Sequence, residues 1–299
     1  MKPVVKIILC ALVVLLLAGA LVWAIGLDGV PVISLGGSSD KNYTVCDASG
    51  ELRLTEEIRG LDIDWSSGNI EIKTHDGKDI IVRETAQDNE SNRLRYRVEN
   101  GTLHIRERKS GIVVFGINKG KDLEILLPEG QYELFELDVA SAEMSLRDIQ
   151  AARLDVDCAS GDLEVCQCTF NAVEFDSASG SIRMDASNAG KFEMDTASGS
   201  ANLNGQVDSI SFDSASGDLT VVSSVTPRQI EMDSASGRAD ITIPADSQFS
   251  AELDSASGGL NVEGFSGNSR KDSYICGNGS AEYEFSTASG DVTIRAMNG

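Results

Sequence analysis

One unit recurs through this chain: an alternating apolar and polar run, the turn Asp-Ser-Ala-Ser-Gly, and a second alternating run. It reads LDVDCASGDLEV from 154, VEFDSASGSIRM from 173, FEMDTASGSANL from 192, ISFDSASGDLTV from 210, IEMDSASGRADI from 230 and AELDSASGGLNV from 251. Diverged copies are LDIDWSSGNIEI from 61, FELDVASAEMSL from 135 and YEFSTASGDVTI from 283. The glycines Gly161, Gly180, Gly199, Gly217, Gly237 and Gly258 follow one another at 19, 19, 18, 20 and 21 residues, and Ala142 holds the same place 19 residues before the first. A short fixed period marks a solenoid, in which each unit buries its apolar face by stacking on its neighbours.

Alternation with period two, as in Phe192 and Met194 against Glu193 and Asp195, specifies strands. The expected fold is all-β, a parallel β-solenoid (β-helix) of ~19-residue coils. Each coil reads as a strand, a tight Ala-Ser-Gly turn, a second strand and a looser return. The turn glycines, Gly290 included, are expected at positive φ, with the Asp and Ser side chains bonding the turn's own amides. The recurrent Ala is expected at a crowded inward position. Stacked in chain order, the inner columns run Phe135, Leu154, Val173, Phe192, Ile210, Ile230, Ala251 and Leu137, Val156, Phe175, Met194, Phe212, Met232, Leu253. The second strand adds Leu163, Ile182, Ala201, Leu219, Ala239, Leu260 and Val292.

Ahead of the repeats, Lys2 and Lys6 precede an uncharged apolar run from Ile7 to Ile25, nineteen residues long. At ~1.5 Å per residue that run spans a bilayer core as one helix. Both lysines before it and Asp28 after it place the N-terminus in the cytoplasm and the rest of the chain outside. A cleaved signal peptide is the competing reading, since Ala18-Gly19-Ala20 offers small residues, although the run continues past them through Leu21–Ile25. The expected organisation is an anchor at 1–26, a flexible tether at 27–40 carrying Gly36-Gly37-Ser38-Ser39, an irregular strand-rich cap at 41–130, and the regular solenoid at 131–299. The segment from Ser266 to Asn278 reads as an insertion before the last copy.

The chain has 47 acidic and 25 basic residues, so without Lys2 and Lys6 its charge is 23 − 47 = −24. Such a surface repels nucleic acid and anionic lipid and attracts cations and basic partners. A hydrophobic content of 41% is enough for a packed core, so the acidity does not signify disorder. Cys10 reads as an apolar residue of the N-terminal run. For Cys46, Cys158, Cys166, Cys168 and Cys276, two readings stand: a local disulfide of Cys158 with Cys166 or Cys168, or buried idle thiols.

The outward ladder beside the turns is Asp138, Asp157, Asp176, Asp195, Asp213, Asp233 and Asp254, with Glu136, Asp155, Glu174, Glu193, Ser211, Glu231 and Glu252 two residues earlier. Unit charges ~5 Å apart repel by roughly 0.8 kcal/mol even in water. Stacked carboxylates offer calcium the hard oxygens it prefers, which makes the row from Asp157 to Asp254 a candidate cation ladder. The plainer reading gives Asp a turn-capping role and Glu a solubilising one, with weak, diffuse cation binding in either case.

Paired carboxylates such as Glu174 and Asp176, ~6.8 Å apart along a strand, match an inverting glycosidase, but the spacing recurs in almost every coil and singles out no pair. The serines are turn residues, His75 and His104 lie outside the regular array, Trp65 reads as a packing residue, and Cys166-x-Cys168 lacks basic neighbours. No cofactor motif is present.

The SxSG units, LEILLP at 123, ITIPADSQFSAELDSASG at 241 and the order anchor, irregular strands, repeats resemble a bacterial "putative adhesin" domain of unknown function found in LiaG-like membrane proteins. The resemblance covers about residues 41 to 299. It implies a β-solenoid on the outer side of the cytoplasmic membrane and brings no catalytic residue. The expected function is non-enzymatic: a rigid acidic rod in the cell envelope that binds an envelope protein or wall polymer. The alternatives are a calcium-stabilised adhesin and a β-helical carbohydrate-active enzyme.

Overall fold

The computed structural model describes residues 43–85, 93–107 and 120–297, and all regular structure among them is strand. The expected anchor at 1–26 and tether at 27–40 lie outside the described residues. No helix among the described residues is long and apolar enough to cross a membrane.

The N-terminal part contains β1 (Thr44–Val45), β2 (Glu51–Leu54), β3 (Gly60–His75), β4 (Ile80–Glu84), β5 (Arg95–Glu99), β6 (Thr102–Arg106) and β7 (Leu123–Pro128). The central repeats supply β8 (Gln131–Arg147), β9 (Gln150–Ser160), β10 (Leu163–Cys166), β11 (Thr169–Ser177), β12 (Ile182–Thr196), β13 (Ala201–Ser214), β14 (Leu219–Ser223), β15 (Gln229–Ser234) and β16 (Ala239–Ile243). β17 (Phe249–Ser257), β18 (Leu260–Glu263), β19 (Gly267–Arg270), β20 (Ser273–Cys276), β21 (Ala281–Ser289) and β22 (Val292–Ala296) complete the chain.

Each coil places one strand segment before the Ala-Ser-Gly corner and one after it, so the coils build two sheets. In the first, Phe135 pairs with Leu154, Leu154 with Val173, Val173 with Phe192 and Phe192 with Ile210. In the second, Met144 pairs with Leu163, Leu163 with Ile182, Ile182 with Ala201 and Ala201 with Leu219. All these pairings are parallel and in register, so equivalent side chains stack into columns. The inward columns merge into a single apolar cluster that runs from Cys46 to Ile294.

Stacking departs from chain order at both ends. The last repeat lies inside the one before it: Ile230 pairs with Tyr283, and Tyr283 with Ala251, while Ala239 pairs with Val292, and Val292 with Leu260. The expected adjacency of Ile230 with Ala251 is thereby corrected. Side-chain size accounts for the exchange. Tyr283 fills the interior against Phe249, with ring centroids 5.2 Å apart, and donates its hydroxyl proton to the Pro227 carbonyl at 3.1 Å, whereas small Ala251 stands at the end. At the other end, β3 lies between β8 and the coil of β6 and β7.

Antiparallel strands cover three of the four sheet ends. β5 pairs with β6 through the Asn100-Gly101 turn, where both residues have positive φ, and β1 pairs with β5. In the second sheet β4 lies on β7 and β2 on β4. At the C-terminal end β20 lies on Ser250–Glu252 of β17, and β19 on β20.

The corners correct three expectations. Alternation continues past the Asp, so the residue before the Ala turns inward: Cys158, Thr196, Ser234 and Thr287 are buried, whereas Ala159, Ala178, Ala256 and Ala288 are exposed. The hydroxyls of Ser177 and Thr196 accept from the amides of Gly180 (2.5 Å) and Gly199 (2.9 Å). The residue after the glycine, rather than the ladder Asp, ties one coil to the next: Ser181 N donates to Asp162 Oδ1 at 2.9 Å, Ser200 N to Ser181 Oγ at 3.2 Å, and Asp218 N to Ser200 Oγ at 3.1 Å. Finally, among the seven turn glycines only Gly161 has a left-handed backbone, with φ 124°. The others serve close approach. A Cβ on Gly199 would lie 1.8 Å from the Gly180 carbonyl oxygen, one on Gly217 1.8 Å from that of Gly199, and one on Gly290 1.8 Å from that of Gly237.

All five described cysteines are free. Cys158 lies at the Ala-Ser-Gly corner and Cys166 and Cys168 at the return corner, with β10 between them, so of the two readings the local disulfide is not formed and the thiols are free. Burial pushes the Cys168 thiol up to about 11.

Gly199→Ala is expected to destabilise by on the order of 3 kcal/mol, because two stacked backbones must separate to admit the methyl group. Gly130→Ala, where a Cβ meets nothing within 4 Å, is expected to stay within about 0.5 kcal/mol. Urea unfolding of both variants checks the contrast.

Candidate functional site

The outward face of the first sheet carries two adjacent acidic columns. In stacking order the column beside the corner is Asp64, Asp138, Asp157, Asp176, Asp195, Asp213, Asp233, Ser286 and Asp254. The neighbouring column is Asp62, Glu136, Asp155, Glu174, Glu193, Ser211, Glu231, Glu284 and Glu252. Only Ser211 and Ser286 interrupt them. Ser286 enters because the last repeat is interposed between Asp233 and Asp254.

Positive charge touches this face at its margins. Arg153 lies within 2.8 Å of Asp155 and 2.6 Å of Glu174, and Lys191 pairs with Glu193, both from the side away from the Asp column. At the N-terminal end Arg106 and His104 bind Asp62, each at 2.5 Å. Burial works against the Asp62 charge, but those hydrogen bonds outweigh it and hold its carboxyl below the usual range.

Farther along, the Asp column lacks such compensation. Burial raises the carboxyls of Asp138, with help from stacked Asp157 and Asp64, and of Asp195, with help from Glu193 on its own strand; burial and stacked neighbours lift Asp176 to about 6 and Asp213 to about 7. Asp195 and Asp213 are in-register neighbours on adjacent coils, so their titrations are coupled. Asp176 Oδ1 is buried without a hydrogen-bond partner. Burial also raises Glu136 and Glu284.

The ladder supplies one carboxylate per coil to each column, in line. Among the described residues no group of three or more His, Cys, Asp or Glu side chains converges to hold a metal ion. Calcium requires six to eight oxygens about one point, which two straight rows do not provide. Two depressions among the described residues lie away from this face, one beside His75 and Pro128, the other on the second sheet beside Glu71, Arg147, Glu164 and Arg183. The second sheet is mixed in charge, with Arg147 bridging Glu164 at 3.1 Å and Arg295 bridging Asp240 at 2.9 Å. Trp65 is buried at a corner and donates its indole N–H to the Lys121 carbonyl at 2.8 Å.

Sequence reasoning missed the raised carboxyls of the Asp column and the interposed Ser286. Both depend on which coils touch, and only the identity of the stacked residues was readable from the repeat.

Fold and face together define a stacked-coil, all-β repeat protein with one acidic wall. The chain belongs to the Toastrack DUF4097 family, whose model matches residues 58–295. No curated protein matches it. Among solved structures it is similar to a "putative cell adhesion protein" from Clostridium sporogenes, at 14% identity and TM-score 0.29, over 86% of this chain and 98% of that one. It is also similar to a "putative adhesin" from Bacteroides fragilis, at 16% identity and TM-score 0.40, over 83% and 96%.

A carboxyl whose folded-state pKa is raised binds more protons folded than unfolded, so it contributes stability that is lost as pH rises from the unfolded value through the folded one. For Asp176 and Asp213 that window runs from about 4 to about 7. The lowered carboxyls Asp62 and Glu124 act below it, losing their contribution as pH falls under about 4. Thermal stability is therefore expected to peak near pH 5 and decline toward pH 8. Asp213→Asn should flatten that decline and stabilise at pH 8 by on the order of 1 kcal/mol after solvent screening. Melting curves across pH check both.

Proposed function

We propose that this protein is a non-enzymatic binding module of the cell envelope that presents its acidic first sheet, outside the membrane, to a cationic or repetitive partner. The observation that carries the reading is the pair of acidic columns, broken only at Ser211 and Ser286, whose inner members Asp176 and Asp213 have no basic partner close enough to offset burial. Stacked like charges oppose folding, so the face is a feature that packing alone does not require. An acidic pair repeated in almost every coil, with no coil singled out, favours display over catalysis.

The partner would be another membrane protein or a wall polymer, held by charge complementarity that salt weakens. The apolar run from Ile7 to Ile25 and the lysines before it support an anchored chain with residues 43–297 on the outer side.

A triple variant, Asp157→Asn, Asp176→Asn and Asp195→Asn, is expected to bind polylysine at least tenfold more weakly, while Glu164→Gln on the second sheet leaves affinity within twofold. Equal losses would overturn the assignment to the first sheet. Protease added to intact cells is expected to degrade the repeats; their protection until the membrane is opened would overturn the exterior placement.

A further inference from the structure

Three of the four sheet ends are covered by antiparallel strands, and the fourth, β18, pairs with β22 on one side and with no other described strand. The inward columns that Leu260 and Val262 terminate are 0–2% exposed one coil inside, at Val292 and Ile294, whereas Leu260 and Val262 themselves are half-exposed. The glycine ladder is cut off at the same level. Gly258 is exposed, while Gly199, Gly217 and Gly237 are buried. A repeat stack needs a polar terminal unit to stop it, and the second sheet has none here.

Backbone geometry shows what this edge accepts. Val292 N donates to Gly259 O at 3.0 Å, and with Leu260 paired in parallel to Val292, Asn261 directs its N–H and C=O toward β22. Alternation then turns the N–H and C=O of Leu260 and Val262 outward, toward the open side. In an antiparallel pairing of β18 with a second β18, a two-fold axis through Asn261 sets Leu260 of one copy opposite Val262 of the other. Those two residues are the ones with free backbone groups, and both face inward. The edge is therefore self-complementary in hydrogen bonds and in apolar side chains at the same register.

Charge allows it. The outward residues are Asn261 and Glu263, and Glu263 is bridged by Arg295 at 3.2 Å. The covering strand β20 lies over Ser250–Glu252, and the Asp272 carbonyl accepts from Leu253 N at 2.8 Å, leaving Asp254–Ser257 uncovered on that side and β18 accessible. A head-to-tail contact would set unlike edges together, because the outermost described strand at the other end of the second sheet is β2, an antiparallel addition on β4 whose Glu51 is tied to Arg53 and Arg83 in ion pairs.

We propose that two copies of this chain join tip to tip through β18, forming one continuous second sheet across a two-fold axis. The axis reverses the stacking direction, so the two N-terminal ends point away from each other, as in a contact between opposed surfaces. The inference does not rest on the acidic face; failure of either leaves the other standing.

The test uses the full chain in mild detergent at micromolar concentration, followed by sedimentation equilibrium. A dimer is expected for the native sequence. Val262→Pro removes an outward N–H that β22 does not use, and it is expected to raise the dimer dissociation constant at least tenfold with an unchanged β-sheet spectrum. Asn261→Cys is expected to form an interchain disulfide on mild oxidation, because a non-hydrogen-bonded antiparallel pair sets the two Cα atoms ~4.5 Å apart. Thr293→Cys, one strand inside, is expected to stay uncrosslinked. A monomer at all concentrations, a dimer indifferent to Val262→Pro, or equal crosslinking at the two positions would overturn the proposal.

Discussion

Stacked corner glycines, each lying against the carbonyl oxygen of the one in the neighbouring coil, set the terms for the rest of this molecule. Where a Cβ would fall about 2 Å from that oxygen, as at Gly199, Gly217 and Gly290, no other residue lets two coils turn at the same height. That approach holds the parallel strands in register on both sides of the corner. Register in turn makes every column uniform. Phe175 meets Met194, Met194 meets Phe212, and the apolar cluster continues from end to end without a break.

Uniformity also has an electrostatic consequence. The register that stacks apolar residues inside stacks carboxylates outside, at the spacing of paired strands and with partial burial. Asp176 and Asp213 respond by holding their protons toward neutral pH. The second sheet avoids this by mixing both signs with neutral residues, with Arg147 bridging Glu164 and Arg295 bridging Asp240. Two sheets from one repeat thus meet the same constraint in different ways.

The ends show how the chain manages a structure that could otherwise continue indefinitely. Antiparallel strands terminate both sheets at the N-terminal end and the first sheet at the other. The last repeat is inserted behind its predecessor, so large Tyr283 and Phe285 are enclosed and small Ala251 stands near the boundary. At the remaining edge, β18 ends the second sheet with one paired side among the described strands and with Leu260 and Val262 only partly buried.

Much of this was legible in the amino-acid sequence. A period near 19 with internal alternation leaves a stack of parallel strands as the consistent arrangement, and it names the inner columns and the acidic ones, because a repeated residue in a repeated register must meet its own kind. Three things were decided only by the tertiary structure. Turn glycines are required by the approach of a neighbouring backbone more than by their own φ, and a linear sequence does not contain that distance. The inward place of Ser177 and Thr196 and the outward place of the adjacent Ala follow from carrying the strand alternation through the corner. The order of the final coils was hidden because near-identical repeats are interchangeable in sequence. They differ only in how well a tyrosine or an alanine fills a particular level of the core, and that volume exists only once the chain has folded.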